Sequence, residues 1–316
     1  MPVYTELPIE KTPSKLADWL EINALLDSDE CASAQDLKYI LENEEERENQ
    51  IEESSSSEIV SQVFDEINNR ITASTDGYPF KLVDGTVIKK KTGYVKFLPY
   101  TFCLLLSYYG PDKLEYGSEW KKDRMAKKFE ELSGNVIKGL LKNKKLKSTV
   151  KIFGYPRRWK GKNTNPRFKT ALEKICIGCG EMKPVQRATS TEAKDGGLDV
   201  IAWKKFPDQL QGGFVFAWQC CIGQNWTGKL GEVDDFFNWY ICDSTQKIKG
   251  IFIPHLPDLI TDINKEHWLR NTLRSGMIFN RSRIALLAEN WKDHFIEKWY
   301  RAALKKIREQ SVSAFK

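Results

Sequence analysis

Two short apolar runs constrain the fold of this 316-residue chain more than any other feature. Residues 198–203 read LDVIAW and residues 213–221 read GFVFAWQCC, with Pro207 and Gly212 in the segment between them. Both are rich in β-branched and aromatic residues, and turn formers separate them, so they predict two strands. Helical patterns flank them. Residues 121–141 place Met125, Phe129, Leu132, Val136 and Leu140 on one helical stripe. The run TVKIF at 149–153 predicts a strand, 167–177 a helix, 229–240 a helix, and KGIFIP at 249–254 a further strand. Residues 266–309 predict two helices broken near Gly276. This alternation indicates an α/β fold with a mixed sheet flanked by helices.

The first 110 residues read differently. Ser14 is expected to cap a helix carrying Leu16, Trp19, Leu20 and Leu26, with Asp18 and Glu21 in its first turns. Helices are also expected at 36–46 and at 57–71, the latter with Ile59, Val63, Phe64 and Ile67 on one face. Glycine-punctuated β-branched runs at 78–95 predict a hairpin. Residues 97–109 predict a buried helix, and Gly110-Pro111 a boundary. The organisation expected is a mostly helical domain over 1–110 and an α/β domain over 111–316.

Charge divides along the same line. Residues 1–66 hold 18 acidic and four basic residues, a balance of −14, so the rest of the chain carries +20 within the overall +6. Residues 132–172 contain twelve Lys and Arg and no Asp or Glu. Such a stretch suits a polyanion, with Lys144, Lys145, Lys147, Arg157, Arg158, Lys160 and Lys162 as the expected contacts to a nucleic-acid backbone. The alternative is a solvated lysine face followed by a basic loop. Within it, Tyr155, Arg157, Arg158 and Trp159 combine cations with aromatics, as backbone contact and base stacking require. The acidic run ENEEERENQIEESSSSE at 42–58 reads as a solvated helix end with a serine linker.

Other classes are excluded or weakened. The longest apolar run, 102–106, is far below the ~18 residues that span a bilayer. Residues 1–10 have no apolar core of a signal peptide. Seven scattered cysteines do not form a secreted disulfide framework. These features lead us to expect a cytoplasmic protein. Three separated histidines argue against a His-based triad or a His-rich metal site. Cys176-x-x-Cys179 with Cys220-Cys221 has the ligand types of a zinc site, but adjacent cysteines at a strand end point to opposite faces. Small buried apolar residues are the default for cysteine. Trp218, Trp226 and Trp239 are expected in the core.

The chemistry concentrates at 192–229. Asp199 opens one predicted strand and Gln219 ends the next, so the two can stand side by side. A carboxylate and an amide oxygen are hard ligands suited to Mg²⁺ or Mn²⁺, and the Cys220 carbonyl could add a third. Such an ion polarises a phosphoryl oxygen and activates water.

At these residues the sequence resembles the PD-(D/E)XK nuclease superfamily, in its Mrr-like restriction-endonuclease branch. Phe129-Glu130-Glu131-Leu132 is similar to that branch's first-helix glutamate. Gly197-Leu198-Asp199-Val200 is similar to its metal-binding aspartate strand, and Phe216-Ala217-Trp218-Gln219-Cys220-Cys221 to its Q-x-K strand. The resemblance covers residues 119–254. It implies a restriction-endonuclease-like fold, a Mg²⁺-dependent endodeoxyribonuclease, and a role in bacterial defence against phage or plasmid DNA. Asp199, Gln219 and the Cys220 carbonyl would hold metal, with Glu130 assisting. It also implies a helicase, ATPase or sensor subunit as partner, and leaves a homodimer open. The acidic N-terminal region is the candidate for docking such a partner. The pattern expects lysine where Cys221 stands. Lys229, leading into the next helix, is the first candidate to replace it, with Lys194 and Lys204 behind it. Otherwise the chain is a degenerate nuclease that binds DNA without cutting it. RNA in place of DNA on the same basic face is a further alternative. Glu192, Lys194 and Asp195 precede the strand, either at the rim of the site or simply as the solvated residues of a loop.

Overall fold

The computed structural model describes residues 5–47, 53–113, 121–157, 159, 167–180, 183–184, 194–208, 210, 213–242, 247–258, 261–288 and 291–314. Its first part runs α1 (Pro13–Leu26), β1 (Cys31–Ser33), α2 (Ala34–Arg47), α3 (Glu53–Ser74), β2 (Phe80–Val83), β3 (Val87–Lys90) and α4 (Leu98–Lys113). The chain continues with α5 (Lys122–Leu140), β4 (Ser148–Ile152), α6 (Phe168–Cys179), β5 (Lys183–Pro184), β6 (Val200–Lys204) and β7 (Phe214–Cys220). It ends with α7 (Glu232–Tyr240), β8 (Ile241–Cys242), β9 (Lys247–Phe252), α8 (Asp262–Ser275), β10 (Met277–Phe279), α9 (Arg281–Leu287) and α10 (His294–Ala314).

The main sheet has the order β10-β9-β7-β6-β4. β4 pairs antiparallel with β6 and β6 antiparallel with β7, whereas β9 lies parallel to both β7 and β10. It is the mixed sheet expected, in an α/β fold. The apolar stripe of α5 explains its seat: Met125, Phe129, Leu132 and Val136 are fully buried, and the helix lies across β4, β6 and β7. Close approach depends on Gly134, where a Cβ would stand 2.5 Å from the Ile152 side chain. The opposite face is covered by α6 and α7, whose Phe168, Leu172, Phe236 and Phe237 pack on Ile201, Val215 and Ala217. β1, β3 and β2 form a separate antiparallel sheet, and β5 pairs with β8.

Several local expectations are corrected. Thr12, not Ser14, caps α1: its hydroxyl accepts the Lys15 N–H at 3.4 Å, and Pro13 takes the first helical position, where no N–H is needed. Lys229 lies in a 3₁₀ turn over Trp226–Lys229, because Gly231 turns the chain with φ +100° before α7 starts at Glu232. The segment expected as two helices contains a strand: past Gly276 (φ +81°), β10 pairs with β9 in parallel register. Trp218 is fully buried, but Trp239 is 71% exposed on α7.

The greatest departure is in α1. Asp18 and Glu21 do not serve the helix dipole at the surface; both are buried. Arg70 of α3 bonds both carboxylates at 2.8 Å, and Arg281 at the start of α9 forks onto Asp18 at 2.7 and 2.8 Å. The Tyr78 and Tyr100 hydroxyls donate to Glu21 at 2.8 and 2.9 Å. Burial pushes the Asp18 carboxyl up, but Arg281 and Arg70 outweigh it and hold it at about 2. Burial wins at Glu21, which stays above the usual carboxylate range. α9 and α10 pack against α1, α3 and α4, so one large core joins Leu16, Phe102 and Trp299 to Phe129, Val200 and Trp218.

Candidate functional site

α5, the end of β4, the entrance to β6 and the end of β7 converge at Asp199. Its carbonyl accepts the N–H groups of Phe153 (2.6 Å) and Gly154 (3.1 Å), just beyond β4. Its own N–H donates to the Trp218 carbonyl at 3.0 Å, and its Oδ2 accepts the Cys220 N–H at 2.7 Å. The aspartate is therefore fixed on both sides by backbone.

Glu130 reaches the same place from α5. It is 7% exposed, and Lys127, one turn earlier, donates to its Oε2 at 2.6 Å. The same ammonium donates to the Gly154 carbonyl at 2.5 Å. Gly154 is required here: a Cβ at that position would collide with the Glu130 carboxylate. Burial raises the Glu130 carboxyl to about 8, the Asp199 charge adds to the rise, and Lys127 opposes it. Burial, with Asp195 nearby, raises Asp199 to about 7, against the pull of the Cys220 N–H bond, Lys127 and Lys229.

The β6–β7 register pairs Val200 with Trp218, which sets Asp199 across from Gln219 as expected. Their side chains have different partners. Gln219 is buried, and its amide donates to Glu232 at the start of α7. Cys220 lies by Glu130, Asp199 and Ser133, where burial drives its thiol far up. Cys221, in the position that the resemblance gives to lysine, is buried with Leu230, Ile251, Ile253 and Ile278. Burial raises this thiol too, and its sulfur sits 3.8 Å from the Gly223 carbonyl. Lys229 is exposed, and its charge is felt at both Asp199 and Cys221. Lys194 is exposed, five residues before Asp199. Lys204 ends β6 at the far end from Asp199, which removes it from the site.

Two buried acids raised to about 7 and 8 in one place suit a bound cation, which would relieve both burial and mutual repulsion. Mg²⁺ takes one or two carboxylates from a protein and keeps several waters. The donor set here fits that mode. It does not fit a closed structural site, since among the described residues no group of three or more His, Cys, Asp or Glu is placed to hold a metal. The two cysteine pairs are not brought together: Cys176 and Cys179 are buried in the cluster under α6, apart from Cys221.

The expected nucleic-acid contacts divide. Lys144, Lys145 and Lys147 are exposed in the turn between α5 and β4. That turn adjoins Ser148, which pairs with Lys204, so it lies at the opposite end of β4 from Asp199. Arg157 is a correction: it is 1% exposed, stacked 4.4 Å from the Phe153 ring centre and bonded to the Lys194 carbonyl. Arg158, Lys160, Lys162 and Glu192 lie outside the described residues. Sequence reasoning missed Lys127, Glu232 and Gly154. Only Lys127 left a trace, a Lys-x-x-Glu spacing that pairs side chains on a helix.

No family model matches the chain, and neither does any curated protein or solved structure. No described helix is long and apolar enough to cross a membrane.

Proposed function

We propose that the chain is a metal-dependent endonuclease that hydrolyses DNA phosphodiester bonds, the nuclease subunit of a bacterial defence system. The observation that carries this reading is the meeting of Asp199, Glu130 and Lys127 at the junction of α5, β4, β6 and β7. The order α5, β4, β6, β7, α7, β9 supplies neighbouring seats for the helix glutamate, the aspartate strand and the Q-x-C strand, in agreement with a restriction-endonuclease-like core. Asp199 would hold Mg²⁺ or Mn²⁺ with Gln219 and the Cys220 carbonyl, Glu130 assisting from α5. The ion supplies charge stabilisation at the phosphoryl group and a more acidic water. Lys229, on its exposed turn, would stabilise charge on the phosphoryl oxygens. Lys144, Lys145 and Lys147 would hold phosphates without reading sequence. A helicase, ATPase or sensor subunit would dock on the acidic helices of the first 110 residues.

A second reading rests on Cys221. A thiol kept neutral in an apolar cluster cannot take over the lysine's work, so the chain could be a DNA-binding subunit that has lost cleavage. Plasmid nicking with Mg²⁺, Mn²⁺ or EDTA decides between them, run beside Asp199→Asn and Lys229→Ala. Metal-dependent nicking lost in Asp199→Asn supports the nuclease. Salt-sensitive DNA binding with no nicking, alone and with candidate partner subunits, supports the second reading.

A further inference from the structure

The nuclease reading gives Lys127, at the carboxylates, no task of its own. Its ammonium is buried, and oxygens hold it from two sides: Glu130 Oε2 at 2.6 Å and the Gly154 carbonyl at 2.5 Å. Carboxylate and backbone carbonyl are the oxygen ligands that a hard divalent cation takes. Gly154 leaves room for the carboxylate that closes this seat, since a Cβ there would stand 2.3 Å from Glu130 Oε2. The positive charge is felt at Asp199 and Cys220 as well.

Resting on the nuclease reading, we propose that the Lys127 ammonium takes the place of a second divalent ion. The site then binds one divalent ion, at Asp199, and Glu130 seats the lysine beside it. Lys127 is a positioning residue: it fixes Glu130 and supplies a positive charge at the carboxylates. A tethered ammonium also repels a second cation from the same oxygens, which sets the metal count of the site.

The test is the number of Mn²⁺ ions bound per chain, read by electron paramagnetic resonance titration of the whole protein. The wild type is expected to bind one. Lys127→Met keeps a stem of similar length without the charge, and is expected to bind a second Mn²⁺ or the first one about tenfold more tightly. Circular dichroism checks that the variant folds. Should it fail to fold, Lys127→Gln, which keeps a polar head without the charge, decides by the same two readings. Two ions on the wild type, or Mn²⁺ binding unchanged in the charge-free variant, overturns the inference and leaves the nuclease reading standing. No Mn²⁺ on the wild type overturns both.

Discussion

Replacing Arg281 by leucine should destabilise the protein by about 3–5 kcal/mol. The guanidinium is fully buried and makes four contacts: Asp18 Oδ1 at 2.7 Å, Asp18 Oδ2 at 2.8 Å, Ser107 Oγ at 2.9 Å and the Pro254 carbonyl at 3.2 Å. In the wild type, Asp18, Glu21, Arg70 and Arg281 balance two negative and two positive charges. Without Arg281, Arg70 alone faces both acids. The Asp18 carboxyl sits at about 2 against a usual 3.8, a net stabilisation of about 2 kcal/mol at neutral pH to which both arginines contribute. Ser107 and the Pro254 carbonyl lose a partner, and an unmet buried polar group costs about 1–3 kcal/mol. Thermal unfolding followed by tryptophan fluorescence should show the melting temperature falling by roughly 6–10 °C. Adding Asp18→Asn removes the stranded charge, so the double variant should regain part of the loss. A fall below about 2 °C, or Asp18→Asn harming the variant as much as the wild type, would refute the charge argument.

His255 should make the fold acid-sensitive. Burial holds its ring at about 4, the bond to the Gly223 carbonyl opposes this, and Arg281 and Lys15 add to the fall while Asp18 resists it. An unfolded ring takes a proton near 6.5, so stability is lost as pH drops below that value. The loss should be about 2 kcal/mol at pH 5 and reach about 3 kcal/mol below pH 4. The difference in melting temperature between wild type and His255→Leu across pH 7.5 to 5 measures it. On the nucleic-acid side, replacing Lys144, Lys145 and Lys147 by alanine should lower the salt slope of DNA binding by about two to three. Arg157→Ala should leave that slope unchanged and lower the melting temperature instead; an equal change in slope would show that Arg157 reaches DNA.

The sheet was legible because its strands announce themselves. The runs at 198–203 and 213–221 became β6 and β7, and the stripe from Met125 to Val136 became the helix over them. β10 was hidden: three apolar residues between charged helical stretches carry no period of their own, and only pairing with β9 makes them a strand. Asp18 and Glu21 looked like ordinary helix-start acids because sequence spacing cannot reveal that α1 is enclosed on every side. Arg157 sits among eleven other cations and reads in the sequence as one of them; its stacking on Phe153 is a tertiary fact. At the site, the order of Glu130, Asp199 and Gln219 was readable. The seat of Lys127 at Gly154 was not, since 27 residues separate them.

β4 also works as a ruler. Lys147 stands just before it and Phe153, whose N–H holds Asp199, just after it, six residues on. At ~3.3 Å per residue, that is roughly 20 Å. A duplex rises ~3.4 Å per base along each strand, so the span equals about six base steps, a little over half a turn. Two phosphates that far apart on one strand lie on opposite sides of the duplex. On the nuclease reading, a duplex lying along β4 would therefore be gripped by one strand and cut on the other.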